Sequence, residues 1–375
     1  MELSHEDSLR LNVLIKQELR AIRIDESSMT VHALTAKGEA KVQLNPNCRE
    51  EAYLRRIREL FSTHALGSPG GYPVYLKRWT RMGQMRQQSL DSLLLLGEPE
   101  AIIAVAHAPG LTEEVARRAW WAMPTADVAR KMLECTAVAS SPLGRELAAH
   151  LIEFLPFEEQ SSHVVDSVRL VLQPGLVDDA VRQSLWKKAL RKSAFYVGFL
   201  FADPENLPEA SRDHPQLSQV MVQLQPLLEQ GNPVAAQLQR LLGKAGQNYL
   251  QTVEKALEKV ADQEVVVALI KALQGYFRHT WSVDYCIHYP RLSAEIDSAV
   301  AGIMQPESTF PMIAQVLQQA PQLSEKVGAL LKLSLVGEPL LDPIFSQTDA
   351  VGSVMRKRLQ PVTEWILANV ALLKT

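Results

Sequence analysis

Paired thiols are the first thing this sequence lacks. Its three cysteines, Cys48, Cys135 and Cys286, are odd in number, far apart and never in a C-x-x-C pair. That excludes a zinc ribbon and a dithiol redox motif. Long apolar runs are also missing. A membrane span needs about 20 mostly apolar residues, and the best stretch, 93–111, is interrupted by Glu98, Pro99, Glu100 and Pro109. Glu2, His5, Glu6 and Asp7 give the amino end the wrong charge for a secretory signal. A net charge of −3 over 375 residues provides no general attraction to nucleic acid or acidic lipid. No G-x-S-x-G, H-E-x-x-H or dinucleotide glycine fingerprint occurs. These absences predict a soluble cytoplasmic protein without membrane insertion. They leave no catalytic residue, cofactor or metal set to assign and lean away from an enzyme.

What is present is ordinary globular composition, 47% apolar and 22% charged, which argues against disorder. Residues 4–17 predict a short helix with Ser4 as N-cap and Asp7 at the third helical position, a variant of the capping box. Three short, partly alternating segments follow, at 21–24, 29–34 and 40–44. Asp25-Glu26-Ser27-Ser28 and Thr35-Ala36-Lys37-Gly38 separate them, so a three-stranded meander is expected. Such a sheet needs a cover. A helix over 49–64, with Tyr53, Leu54, Ile57, Leu60 and Phe61 on one face, supplies it. Residues 66–73 read as a loop and 74–82 as a short helix; from Ser89 the chain reads as helical throughout.

The helical part is punctuated. Gly97 then Pro99, and Gly337 then Pro339, stop one helix and start the next. Pro109, Pro142 and Pro174 begin similar phrases 33 and 32 residues apart, a period that marks stacked helical hairpins. The expected pairs are 112–122 with 125–137, 143–154 with 158–172, and 176–190 with 193–201. A proline-rich loop is expected from 203 to 215. Pro215-Gln216-Leu217-Ser218 recurs as Pro321-Gln322-Leu323-Ser324, 106 residues on, which favours one extended array. The predicted fold is mainly α: a small N-terminal three-stranded antiparallel β-meander with helices, then an α-solenoid-like array of hairpins. Its expected divisions are 1–86, 87–203 and 214–375.

Four groups of residues invite a chemical reading. The first is the basic aromatic stretch 49–86, with eight cations against three acids, a local +5 that leaves −8 elsewhere. Within it Tyr72, Tyr75, Lys77, Arg78, Trp79 and Arg81 offer stacking faces and phosphate-neutralising charge, the means by which RNA or a nucleotide is held. Gly67-Ser68-Pro69-Gly70-Gly71 could present N–H groups to an anion. The plainer alternative is that Tyr75 and Trp79 dock the β module on the first repeat. The second group, His279 to His288, contains two imidazoles, Asp284 and Cys286, but without structural-zinc spacing; a loop of aromatic core accounts for it equally. The third is Cys48, beside Arg49 at a helix start, where a thiolate is favoured, although Glu50 and Glu51 oppose this and a small buried residue or cap explains it too. Cys135 reads as core inside a hairpin helix. The fourth, Trp120, Trp121 and Trp186, occupies equivalent repeat positions and reads as core spacers.

Several phrases together carry a family resemblance. They are Leu44-Asn45-Pro46-Asn47-Cys48-Arg49, Gly67-Ser68-Pro69-Gly70-Gly71-Tyr72-Pro73-Val74-Tyr75, Arg118-Ala119-Trp120-Trp121-Ala122-Met123-Pro124-Thr125 and Leu151-Ile152-Glu153-Phe154-Leu155-Pro156-Phe157-Glu158-Glu159. Over residues 1 to about 200 the chain resembles the DsrS family, cytoplasmic proteins encoded with reverse dissimilatory sulfite reductase genes in sulfur-oxidising bacteria. The resemblance implies a soluble partner or regulator in cytoplasmic sulfur oxidation and carries no catalytic motif. The leading expectation is therefore a non-enzymatic interaction or regulatory protein that presents a helical-repeat surface to a protein partner. RNA or nucleotide binding through 72–86, and sulfur handling by Cys48, are the alternatives.

Overall fold

Three antiparallel strands, β1 (Leu19–Asp25), β2 (Thr30–Thr35) and β3 (Gly38–Gln43), form a sheet in the order β1-β2-β3, as the alternation predicts. The first turn is held by Asp25, whose carboxylate accepts the N–H groups of Ser27 and Ser28 at 3.0 and 3.2 Å and both their hydroxyls. The Ser28 and Ser27 hydroxyls, aided by those N–H groups, keep its pKa well below the usual carboxylate range. One sheet face buries Ile22, Val31, Ala33 and Val42. Two helices cover it: α1 (His5–Ile15) through Leu11 and Leu14, and α2 (Glu50–Leu66) through Tyr53, Leu54, Ile57 and Phe61.

Ser4 caps α1 as expected, accepting the Asp7 N–H at 3.2 Å. Asp7 itself does not close a capping box. It is fully buried, and its Oδ2 accepts the Asn45 N–H at 2.8 Å and the Tyr53 hydroxyl at 2.5 Å. The Tyr53 oxygen in turn accepts the Ser4 N–H at 3.1 Å. Burial, then the bond to Asp7, raises the Tyr53 pKa. A carboxylate shut away from water is tolerated only when hydrogen-bonded, so this knot ties the start of the chain to the strand exit and to α2.

The structure, a computed structural model, describes residues 3–73, 75–76, 87–260, 262–281, 288–305, 310–346 and 351–374. It is mainly α beyond the sheet and divides into two compact units, Met1–Phe154 and Leu155–Thr375. In the first unit, helices Gln87–Leu93 and Pro99–Ala106 flank Gly97. Gly97 has φ +65°, and a Cβ there would lie 2.8 Å from Ile24 Cδ1, so both conformation and space require glycine. The Ile22 N–H donates to Leu94 O at 2.8 Å, covering the outer edge of β1. Thr112 and Thr125 cap helices Glu113–Ala122 and Ala126–Leu133, and Pro142–Phe154 completes the unit. The helix expected over 125–137 is broken after Leu133. Cys135 consequently lies outside it, half-buried at the start of a short turn of helix, Thr136–Ala139, with Sγ 3.4 Å from Leu111 O.

In the second unit, helices Ser161–Val171, Asp179–Ala189 and Ala194–Ala202 lead to a non-helical segment, 203–216, where three prolines predict one. Asn248 Nδ2 pins it, donating to Leu207 O and Glu209 O at 3.1 and 2.8 Å. Helix Lys244–Glu258 buries Leu250, Val253 and Leu257 on one stripe, as their spacing predicts. Helix Gln263–Phe277, apolar almost all round in sequence over 264–274, buries one face and leaves Glu264 and Lys271 exposed. The 106-residue echo does not repeat as geometry. Gly231 has φ +75° and hands over to Asn232, which caps Pro233–Leu242. Gly337 is extended, φ −150°, and precedes a 3-10 turn, Glu338–Leu341. Its hydrogen faces Tyr289, since a Cβ would stand 2.7 Å from that ring.

The final helix, Gly352–Lys374, ends on buried side chains: Gln247 Nε2 donates to Leu373 O at 3.1 Å and Lys326 Nζ to Leu372 O at 3.0 Å. Lys326 Nζ also lies 3.3 Å from His214 Nε2. His214 Nδ1 accepts the Gln216 N–H at 3.1 Å, so the neutral ring carries its proton on Nε2, a neighbour that disfavours a charged ammonium. Burial likewise pushes the Lys326 pKa down, with Glu325 acting in the opposite sense. Between that lowered value and the ordinary lysine value of about 10.4, the unfolded chain holds more protons at this site than the folded one. This contribution to stability therefore rises with pH across the window. Lys326→Met removes it. In urea unfolding at a series of pH values, the difference between wild type and Lys326→Met should shift in favour of wild type as pH climbs toward about 10.4; a flat difference contradicts the assignment.

Candidate functional site

In the Gly-rich segment 67–71 the described N–H donors meet neutral acceptors within the chain, and a carboxylate is met only by the next residue, Tyr72. Gly67 closes α2 in the left-handed region, φ +70°, its N–H donating to Thr63 O at 2.9 Å. The Gly71 N–H then donates to Ser62 Oγ at 2.7 Å, and the Tyr72 N–H to Glu98 Oε2 at 3.0 Å. Helical backbone resumes just after Gly71, before the predicted end of the loop. Beside these residues opens a cleft of about 700 Å³ whose lining includes Arg55, Arg58, Glu26, Glu59, Glu98 and Glu100. Arg55 lies 3.3 Å from Glu59, and Arg58 pairs with Glu26. Four carboxylates against two guanidiniums make this cleft a poor host for a phosphate.

Of the predicted patch, Tyr72 and Tyr75 lie within the described residues. Their rings are nearly parallel, 6.3 Å apart at 15°. Burial, then Tyr75, raises the Tyr72 pKa. Lys77, Arg78, Trp79 and Arg81 fall outside the described residues, as do Asp284 and Cys286 of the second cluster. His279 sits on a 3-10 turn, Arg278–Thr280, its pKa lowered by burial, then by Arg240 and Arg278. Among the described residues no three His, Cys, Asp or Glu side chains could hold a metal ion together. Cys48 precedes the Arg49 N-cap of α2, half-buried against the N-terminal core, with Sγ 3.7 Å from Arg49 O.

The tryptophans divide. Trp120 is buried, donating to Glu146 Oε1 at 2.7 Å and meeting the His150 ring edge-on at 4.8 Å. Trp186 is half-buried, packed edge-on at 5.0 Å against both Tyr196 and Phe199. Trp121 is not a repeat spacer. It is half-buried toward the sheet, donates to Glu39 Oε1 at 2.6 Å and takes the Arg23 guanidinium over its ring at 5.3 Å.

Sequence spacing gave no sign of a second cleft, of about 610 Å³, within the second unit. Helices Ser161–Val171 and Gln263–Phe277 contribute Val165, Val267 and Ala268 to its lining, and Phe201 adds an aromatic side. Its polar residues are engaged: Arg169 lies 3.3 Å from Asp166, Lys271 3.3 Å from Glu338, and Glu264 accepts the Ser162 N–H at 2.9 Å. The Ser162 hydrogen bonds lower the Glu264 pKa. Apolar lining with paired charges suits a docked polypeptide segment better than a reacting small molecule, which needs polar groups converging on it. Residues 102 apart build this cleft, so no local motif could reveal it.

No protein-family model, curated protein or solved structure matches the chain.

Gly71 and Gly67 allow a test of the internal anion. Both have positive φ, but nothing lies within 4 Å of a Cβ at Gly67, whereas one at Gly71 would stand 2.2 Å from Glu98 Oε1. Gly67→Ala should cost about 1–2 kcal/mol of stability. Gly71→Ala should cost roughly twice that, because Glu98 must also leave the Tyr72 N–H. Equal unfolding midpoints for the two variants would contradict this placement.

Proposed function

We propose that this protein is a non-enzymatic interaction or regulatory protein whose helices stack as an α-solenoid-like array and present a surface to a protein partner. The resemblance to the DsrS family attaches that role to cytoplasmic sulfur oxidation. The observation that carries the proposal is the second cleft, with Phe201, Val267 and Ala268 half-exposed to a segment of a partner, Val165 buried beneath them and the surrounding charges paired. Helical arrays offer extended surfaces of this kind. The parallel Tyr72 and Tyr75 rings favour a second reading, stacking of an RNA base or nucleotide beside Lys77, Arg78, Trp79 and Arg81. Sulfur handling by Cys48 is a third reading, tested by persulfide loading of Cys48→Ser.

Affinity capture of the tagged protein from soluble extract separates the first two. Ala268 is half-exposed, so Ala268→Arg changes the cleft without filling a core position. A defined protein retained by wild type and lost by folded Ala268→Arg is the expected result. Nucleic acid retained by wild type, released by salt and lost on changing Lys77, Arg78 and Arg81 to Ala would move the function to the aromatic stretch.

A further inference from the structure

The two outer edges of the sheet are treated differently. Leu94 covers β1 through the bond to Ile22, whereas among the described residues β3 pairs only with β2. The Leu44 N–H donates to Met29 O at 2.9 Å, which fixes the phase of the β2–β3 ladder. With the register Val31↔Val42, Ala33↔Ala40 and Thr35↔Gly38, residues 38, 40 and 42 turn their N–H and C=O groups toward β2. Glu39, Lys41 and Gln43 turn theirs outward, their side chains are exposed, and no described residue meets those backbone groups. Lys41 forms no ion pair with any described residue. Glu39 engages Trp121 through Oε1, leaving its second oxygen for another cation.

We propose that the partner on this edge is a second copy of the chain, with the two β3 strands pairing antiparallel about Ala40 to give a continuous six-stranded sheet. The strand is self-complementary in that register alone. Centred on Ala40, Glu39 of each copy stands opposite Lys41 of the other, and both residues carry the outward backbone groups that must pair. Sliding by two residues sets Lys41 against Lys41 or Glu39 against Glu39. Sliding by one sets outward groups against inward ones. A lysine in an edge strand ordinarily deters pairing; here it selects one register. The neighbouring helix α1 leaves Leu9 and Val13 exposed one turn apart, an unpartnered apolar pair on the element beside the edge. A seam six residues long is small beside a standard interface of about 1,600 Å², so the dimer is concentration-dependent.

Sedimentation equilibrium of the full chain over a wide concentration range tests this. Wild type should show monomer–dimer exchange. Lys41→Glu and Glu39→Lys should each weaken it by roughly tenfold or more, because both opposed pairs become like-charged. The Lys41 side chain makes no hydrogen bond or ion pair with any described residue, so its variant keeps the fold. An equimolar mixture of the two variants should dimerise again, since every opposed pair is then Glu with Lys. Wild type monomeric throughout, a dimer indifferent to Lys41→Glu, or a mixture no tighter than its components would each overturn the proposal.

Discussion

A chain that turns every ten or so residues leaves unpaired N–H and C=O groups at each helix end, and meeting them is the constraint that organises this protein. Ser4, Thr112, Thr125, Asp178, Asn232 and Asp262 each accept at a helix start. At the opposite ends the solutions vary: a left-handed glycine at Gly67, and buried side chains from other helices at Leu372 and Leu373. Replacing such a cap with alanine typically costs about 1 kcal/mol. Many ends thus hold a considerable share of a marginal stability.

The same need for partners explains where polar groups go inside. Asp7, Asn248 and Lys326 are all buried, and each ties together segments distant in sequence. The Gly-rich loop follows the rule from the other side: its donors are met by Ser62 and Glu98. Its composition invites an external anion, but Gly71 finds a hydroxyl within the chain and the adjoining Tyr72 a carboxylate.

What was legible in the residues was punctuation and periodicity. The meander, the Gly97–Pro99 handover and the buried stripe of Lys244–Glu258 depend on neighbours within a few residues, so local chemistry reveals them. Asp7 was misread because its type suits a cap while its partner is 46 residues away. Trp121 shared a repeat position with Trp186, yet Glu39 and Arg23 draw it to the sheet. The second cleft required the joining of two helices whose sequences carry no motif. Repeats of composition, such as the glycine–proline pairs, did not guarantee repeats of backbone conformation.

The Asp7 knot and the capture of the last helix also differ in when they can form. The ties from Asp7 and Tyr53 close loops of 38 to 49 residues, so the first core can assemble as soon as α2 has left the ribosome. Lys326 to His214 and Gln247 to Leu373 span 112 and 126 residues. The first waits for residue 326 and the second for residue 373, because loop closure precedes the reward of long-range contacts. During synthesis the second unit therefore spends the longer time unlatched, and a ribosome stalled before residue 372 would hold a chain with an ordered beginning and an unfastened end.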